Sequence, residues 1–167
     1  VHFGTAGAAV HFVDAETGEY RESRLADLYD RWAVNVHAYA RRHCGPDGAD
    51  DVLAETFLVA VRRIDDVPPE PLPWLLVVAR NVIANQRRSA RRRGNLDAVV
   101  MSQPVVTHSP AGEVAEERLE VARALGSLTD VEREALLLVA WDGLSLAEAA
   151  QVAGCRERAF RARLSRA

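Results

Sequence analysis

The residues of this chain best suited to binding chemistry are its arginines, which form two clusters. All 21 basic residues are arginine and none is lysine. One cluster runs from Arg80 to Arg93 with no acid among its members, and the other runs from Arg156 to Ala167, where Glu157 is the only acid. A guanidinium group binds phosphate and base edges through paired hydrogen bonds, which suits nucleic acid. A genome rich in G and C also favours arginine codons, and the two explanations are compatible.

The charge distribution is more informative than the net charge. A formal net charge of −3 by itself argues against a protein that binds nucleic acid. However, the acidic residues are concentrated in residues 14–30, 47–55 and 113–120, apart from both arginine clusters. Basic blocks separated by acidic ones predict two DNA-facing surfaces and at least one surface for a protein partner.

Other reactive residues form no recognisable site. Cys44 and Cys155 make no CxxC pair, which predicts a reduced, cytoplasmic protein. His37, His43 and Cys44 lie at helical spacings but have no second pair of ligands nearby, so we expect no metal site. The chain has no nucleophile elbow, HExxH motif or phosphate loop, and we expect no catalytic residue, cofactor or enzymatic activity. We also expect neither a signal peptide nor membrane insertion.

The elements that must position the first arginine cluster are predicted to be helices. Apolar side chains recur at three- and four-residue steps from Leu25 to Tyr39, which predicts a helix that ends at a Gly-Pro-Asp-Gly turn. A second helix is predicted from about Ala49 to Ile64, with Val61 among its inward-facing residues. The proline-rich segment that follows cannot continue it.

A third helix, predicted from Pro73 to Arg93, is apolar in its first half and basic in its second. Residues 25–93 therefore form a first small domain. Residues 1–24 carry no helical stripe, and a short hairpin, a disordered tail and residues added for expression all remain open for them.

A second small domain is predicted at residues 116–167. Residues 94–115 hold Gly and Pro without a sustained period, which predicts a flexible linker. Capping boxes at Thr129 and Ser145 then open two helices, the first with a core that includes Leu137 and Trp141. A turn at Gly154 leads to a final basic helix, so the pair is a helix-turn-helix. The predicted fold class is all-α, with two helical domains joined by the linker.

Several segments resemble the extracytoplasmic-function (ECF) sigma factors of bacteria. Residues 49–63, ADDVLAETFLVAVRR, resemble the motif AEDLVQETFLRAW, and residues 73–81, PWLLVVARN, resemble AWLFTIARN. LTDVEREALLL at 128–138 and GLSLAEAA at 143–150 are similar to the domain of these factors that binds the upstream promoter element. Residues 153–167, AGCRERAFRARLSRA, differ from the usual LGISxGTVKSRLxRA in the turn and final helix, which the resemblance assigns to promoter recognition.

The resemblance implies a sigma factor that directs RNA polymerase to promoters and helps to melt the minus-ten element. Implied partners are the polymerase core, through its beta-prime clamp helices and beta flap, promoter DNA and an anti-sigma factor. The expected polymerase-binding residues on the second helix are Asp50, Asp51, Leu53, Glu55 and Leu58. Acidic residues at the start of a helix also interact favourably with the helix dipole, and this role is compatible with binding to polymerase.

The remaining expected contacts are to DNA. The minus-ten set, on the proline-rich loop and third helix, is Asp65, Asp66, Arg80, Asn81, Asn85, Arg87, Arg88 and Arg91. The minus-thirty-five set on the final helix is Arg156, Arg158, Arg161 and Arg163. An alternative interpretation is a two-domain helix-turn-helix regulator that acts without polymerase, in which residues 25–93 serve sensing or dimerisation.

Overall fold

The computed structural model describes residues 15–92 and 113–167, and their side chains from 18 to 92 and from 120 to 167. Every regular element in these ranges is helical, which confirms the all-α prediction. The elements are α1 (Ala15–Cys44), α2 (Pro46–Arg62), a 3-10 turn (Ile64–Asp66), α3 (Pro71–Arg92), α4 (Glu113–Ser127), α5 (Asp130–Ala140), α6 (Leu146–Val152) and α7 (Glu157–Leu164). None of the described helices is both long and apolar enough to cross a membrane. Most of the predicted linker lies outside the described residues.

Helix α1 begins at Ala15, ten positions before the apolar stripe that predicted it. Its first turns are polar, so periodicity gave no signal there. They are held instead by contacts with the segment after α2, since Arg21 lies 3.3 Å from Asp65 and Arg24 donates a 2.7 Å hydrogen bond to the carbonyl of Val67. These tertiary contacts explain why a sequence pattern alone did not find the first turns of the helix.

The turn between α1 and α2 is shorter than the sequence indicated. Gly45 alone separates the helices, and it adopts a left-handed φ of 78° that favours glycine. Pro46 occupies the first turn of α2, where its missing N–H is not needed. The same rule places Pro71 and Pro73 in the first turn of α3, which leaves only residues 67–70 irregular.

Helices α1, α2 and α3 pack their apolar faces together in one three-helix core. The fully buried members include Val36, Tyr39, Val52, Ala60, Leu75, Leu76 and Ala79. Two residues of the predicted stripes do not join it: Tyr29 and Val61 are 46% and 44% exposed. The prediction that Val61 faces inward was wrong, because Phe57, Ala60 and Ile64 already fill the core-facing row of this segment.

Helices α5, α6 and α7 enclose a smaller core. Both predicted capping boxes are confirmed: the Glu148 carboxylate accepts a 2.8 Å hydrogen bond from the Ser145 N–H, and Glu132 accepts one from Thr129. The residues buried in this core are Ala135, Leu138, Leu144, Ala149, Ala150, Val152, Ala153 and Phe160, and they are continuous with the buried residues of α1, α2 and α3.

The core residues predicted for α5, Leu137 and Trp141, are not the ones that the structure buries, which are Ala135 and Leu138. Trp141 is 72% exposed, and Leu137 is only half-buried. The helix ends at Ala140, so the chain turns there and directs Asp142 inward while Trp141 faces solvent. The final helix is also shorter than expected, since α7 ends at Leu164 and is about 12 Å long.

The cap of α6 allows a direct test. Ser145→Ala removes the hydroxyl that binds the N–H and carboxylate of Glu148, and should lower the free energy of unfolding by about 1 kcal/mol. Hydrogen bonds from Ser145 hold the pKa of Glu148 below its ordinary value. This contribution is therefore present above pH 4.5 and lost as the pH falls. Urea denaturation at several pH values measures the difference.

The matched control is Ser165→Ala, because the exposed Ser165 hydroxyl makes no hydrogen bond within the described residues. Equal stability of the two variants at neutral pH would contradict the role of the cap.

Candidate nucleic-acid interface

The second half of α3 presents a polar strip to solvent. Asn81, Asn85 and Arg88 are exposed and follow one another at steps of four and three residues, so they share one face of the helix. Arg88 donates a hydrogen bond to Oδ1 of Asn85, and Arg92 extends the strip by donating one to Oγ of Ser89. Amide and guanidinium groups side by side on an exposed helix can bind both base edges and phosphates.

Two arginines of the expected minus-ten set are engaged within the chain. Arg80 places Nε 3.6 Å from Oε1 of Glu134 on α5, and Arg87 donates to the backbone carbonyl of His43 at the end of α1. Arg91 remains exposed. The expected DNA-binding side chains of α3 therefore fall into two groups. Some are exposed on the strip, and others contact residues of another helix.

The acids of the expected minus-ten set are also paired. Asp65 lies 3.3 Å from Arg21, and Asp66 lies 2.9 Å from Arg63. Both carboxylates are largely exposed. Since a carboxylate repels phosphate, either residue would have to contact DNA through a base amino group.

The turn between α6 and α7 fixes the final helix on its core. Gly154 has a φ of 64°, which favours glycine, and the Cys155 N–H bonds the carbonyl of Ala150. Phe160 is fully buried, and Leu164, one turn later, packs against the same core. The inner face of α7 is thus apolar, and the arginines lie on its opposite face.

The arginines on α7 remain available to solvent. Arg156, Arg158 and Arg161 are exposed, and Arg163 is half-buried. Arg161 forms two hydrogen bonds with Oε1 of Glu157, at 3.0 and 2.6 Å, which orients its guanidinium along the helix. A short helix that carries Arg158 and Arg161 outward, with exposed Arg156 as its N-cap, has the shape and charge to enter the major groove.

The expected polymerase-binding residues lie on the exposed side of α2. Asp51, Glu55 and Leu58 are exposed and share one face. Asp50 is also exposed, with Oδ1 3.1 Å from Nε2 of His37. Leu53 differs from the others because it is half-buried and packs against the core.

A groove of about 590 Å³ runs between α1 and α2 beside this face. Its apolar lining includes Tyr29, Phe57, Leu58 and Val61, and acidic Glu22 and Asp30 also line it. Tyr29 packs edge-on against Phe57 with ring centroids 4.8 Å apart. Apolar surface bordered by acids suits a protein partner that is basic and partly apolar.

A polar cluster that no sequence pattern predicted lies where α1 and α3 meet α5. Oε1 of Glu134 lies 3.7 Å from Nε2 of His43 and accepts a 3.4 Å hydrogen bond from the Tyr39 hydroxyl. Burial alone would raise the pKa of Glu134, but the hydrogen bond and charge of His43 and the charge of Arg80 hold it below its ordinary value. No sequence signal marks Glu134, because it ends the charged stretch Asp130–Glu134, a pattern typical of a solvated helix start.

A buried ion pair accompanies this cluster. Arg42 at the end of α1 lies 2.6 Å from Oδ2 of Asp142, whose side chain is only 1% exposed. Burial raises the pKa of Asp142 in spite of the nearby Arg42 charge. Among the described residues, no group of His, Cys, Asp and Glu could hold a metal ion.

Comparison with protein families matches two models to this chain. The model for sigma-70 region 2 matches residues 28–93, and the model for sigma-70 region 4 matches residues 118–167. The first range covers most of α1 and all of α2 and α3. The second covers most of α4 and all of α5, α6 and α7.

Curated relatives are similar over much of the chain. The ECF RNA polymerase sigma factor SigC of Mycobacterium tuberculosis is 36% identical over 121 residues, which span 71% of this chain and 65% of SigC. SigL of the same species is 34% identical over 142 residues, which span 82% of this chain and 80% of SigL. CnrH of Cupriavidus metallidurans is 31% identical over 166 residues, with 92% of this chain and 87% of CnrH covered. The chain thus spans slightly less than two thirds of SigC.

Solved structures show the same fold. The sigma factor RpoE of Bartonella quintana, in complex with the anti-sigma factor NepR, superposes with a TM-score of 0.66 at 23% identity, covering 84% of this chain and 89% of RpoE. CnrH in complex with the cytosolic domain of CnrY gives a TM-score of 0.60 at 26% identity and covers 91% of this chain and 87% of CnrH.

The exposed face of α7 yields a prediction about DNA binding. Arg158→Ala and Arg161→Ala should each weaken binding to duplex DNA selected from a randomised pool. If the arginine contacts a base, its replacement should weaken the binding free energy for that DNA sequence by about 1–3 kcal/mol. One that binds phosphate should instead reduce the slope of log affinity against log salt concentration by about one.

Fluorescence anisotropy titrations over a range of salt concentrations separate the two cases. The control is Arg31→Ala, an exposed arginine on α1. If both α7 variants keep the parent affinity and salt slope, α7 does not contact DNA through these residues.

Proposed function

Because the chain belongs to the ECF sigma factors of the sigma-70 family, we propose that it directs RNA polymerase to specific promoters and helps to melt their minus-ten element. The observation that carries the proposal is the distribution of surfaces. Two exposed basic faces, on the second half of α3 and on α7, lie in the segments that match regions 2 and 4, while an acidic and partly apolar face lies on α2. A factor that bridges polymerase and DNA needs all three.

Polymerase binding is assigned to α2 and the adjoining groove. The exposed Asp51, Glu55 and Leu58 supply charge and an apolar anchor, and Tyr29 and Val61 extend the apolar area. This surface fits the clamp helices of the beta-prime subunit as the docking partner. Leu53 contributes indirectly, because its half-buried side chain supports the helix from the core side.

Minus-ten recognition is assigned to the loop before α3 and to the open strip on α3. An unpaired base needs a polar contact to its edge, and the strand needs cations along its backbone. Asn81 and Asn85 provide the first, and Arg88 and Arg91 provide the second. The irregular segment at 67–70 contains two prolines, so it loses little entropy when it closes on a base.

Minus-thirty-five recognition is assigned to α7, with the arginines on its exposed face in the major groove. The rest of the second helical unit supports that helix and leaves other surface for the beta flap of polymerase. Trp141, 72% exposed at the end of α5, is the largest apolar side chain available there. Exposed tryptophan is enriched at the centres of protein interfaces.

An anti-sigma partner completes the proposal. RpoE was solved in complex with the anti-sigma factor NepR and CnrH in complex with the cytosolic domain of CnrY, and this chain shares their fold. We expect a partner of that class here, in the cytoplasm.

In vitro transcription tests the function directly. Core RNA polymerase with this chain should initiate on promoters selected from a randomised library, and core polymerase alone should not. If the chain binds DNA but neither binds core polymerase nor supports initiation, it is a helix-turn-helix regulator instead.

The docking surface gives a separate prediction. Asp51→Arg together with Leu58→Ala should weaken binding to core polymerase by about tenfold or more, because one change reverses a charge and the other removes an apolar anchor. Neither side chain belongs to the core, so the helical content should stay the same. Val34→Ala is the control, since Val34 is 77% exposed on α1 and does not line the groove. Equal core affinity for the double variant and the control would exclude this surface.

A further inference from the structure

The loop that precedes α3 is attached to the first turns of α1. Arg24 donates a 2.7 Å hydrogen bond from Nη2 to the carbonyl of Val67, which lies 43 residues later in the chain. Both partners are sheltered from water, since Val67 is 5% exposed and Arg24 is half-buried. A hydrogen bond from a charged donor is stronger than one between neutral groups. The contact therefore fastens the beginning of the loop to a helix of the first core.

The sequence of the loop explains why it needs a donor from another helix. Val67 is followed by Pro68 and Pro69, which have no backbone N–H to donate. Val67 has a φ of −68° and a ψ of 121°, the extended backbone that a residue before proline favours. The carbonyl of a buried residue requires a hydrogen-bond partner, and Arg24 supplies it.

A second contact joins the same two segments. Arg21 places Nη2 3.3 Å from Oδ2 of Asp65, which lies in the 3-10 turn just before the loop. The two side chains are 37% and 69% exposed, so this ion pair by itself contributes little stability. The 3-10 turn and the first residue of the loop are thus both attached to α1, and the Arg24 hydrogen bond is the stronger attachment.

Arg24 is separate from the surfaces assigned above to polymerase and DNA. It precedes the segment that matches sigma-70 region 2, which begins at residue 28. The groove between α1 and α2 is lined by its neighbours Glu22 and Leu25, whereas Arg24 is not among the lining residues. A change at Arg24 therefore acts on the loop without altering either surface directly.

These contacts have a consequence for promoter recognition, which rests on the function proposed above. We propose that Arg24 is a positioning residue for the minus-ten element, because it holds the loop at residues 67–70 in the place where the loop captures an unpaired base. Arg21 assists through Asp65. The two prolines limit the shape of the loop, but they do not determine where the loop lies on the protein. The attachment to α1 determines its place, and a loop held in advance loses less entropy when it binds.

Transcription by core polymerase with the full chain, from a library of randomised minus-ten elements, tests this role. Arg24→Ala removes the donor, so base preference should fall by about five- to tenfold at the position that the loop contacts. Positions contacted by Asn81 and Asn85 on α3 should keep their preference, and so should the minus-thirty-five element. Arg24→Lys keeps a charged donor and should restore most of the lost preference.

Two further variants complete the experiment. Arg31→Ala is the matched control, because it removes an exposed arginine from the same helix about 10 Å further along. Its base preferences should equal those of the wild-type chain. Arg21→Ala alters only an exposed pair, so it should keep the fold and lower the preference at the same position by about twofold.

Circular dichroism and affinity for core polymerase show whether Arg24→Ala keeps its fold and its docking surface. Wild-type base preference in both Arg24→Ala and Arg21→Ala would overturn the positioning role. An equal loss of preference at every promoter position, without rescue by Arg24→Lys, would overturn it as well, because that result indicates a general structural defect.

The outcome is separable from that of the proposed function. If the wild-type chain supports initiation and Arg24→Ala selects the same bases, the function stands and the positioning role fails. If no form supports initiation, the sigma-factor function fails, and selection of single-stranded oligonucleotides from a randomised pool by the free chain tests the loop. Weaker selectivity of Arg24→Ala than of Arg31→Ala in that selection supports the positioning role, whereas equal or absent selectivity overturns it too.

Discussion

A guanidinium group that leaves water needs acceptors for its charge and its N–H groups, and this constraint organises much of the structure. Every side chain in this protein that keeps a positive charge at all physiological pH values is an arginine. Arg133 shows the structural use: it donates to the carbonyls of Leu125 and Leu128, at 2.7 and 2.9 Å, and so fixes the turn between α4 and α5. Where no acceptor lies beside an arginine within the described residues, as at Arg158, the side chain stays in water and is available for DNA.

The same constraint separates two kinds of contact in the molecule. Apolar contacts form one continuous cluster through both helical units, and burial of residues such as Leu75 and Phe160 stabilises it with little dependence on salt. Between the units, the contacts that involve charge depend on desolvation and on competing ions.

The incorrect predictions of helix faces and helix bounds have physical causes in the tertiary packing. Helical periodicity shows which residues lie on one face, but the covered face depends on what packs against it. Val61 and Trp141 both belonged to apolar stripes, and both are exposed: other residues fill the core-facing row of α2, and α5 ends at Ala140, where the chain turns and leaves Trp141 in solvent. The beginning of α1 was missed for the opposite reason: its polar turns are held by Arg21 and Arg24, which contact a segment more than forty residues away.

The sequence by itself determined the helical class, the caps at Thr129 and Ser145, the helix-turn-helix and the family, because each depends on residues close together along the chain. It also identified both arginine clusters. Only the tertiary structure decided which arginines are open, since their partners lie far away in sequence: 100 residues separate Arg42 from Asp142, and 95 separate Tyr39 from Glu134. Whether an arginine is exposed or paired depends on the residues that the fold places next to it. Local sequence patterns carry no information about partners at that distance.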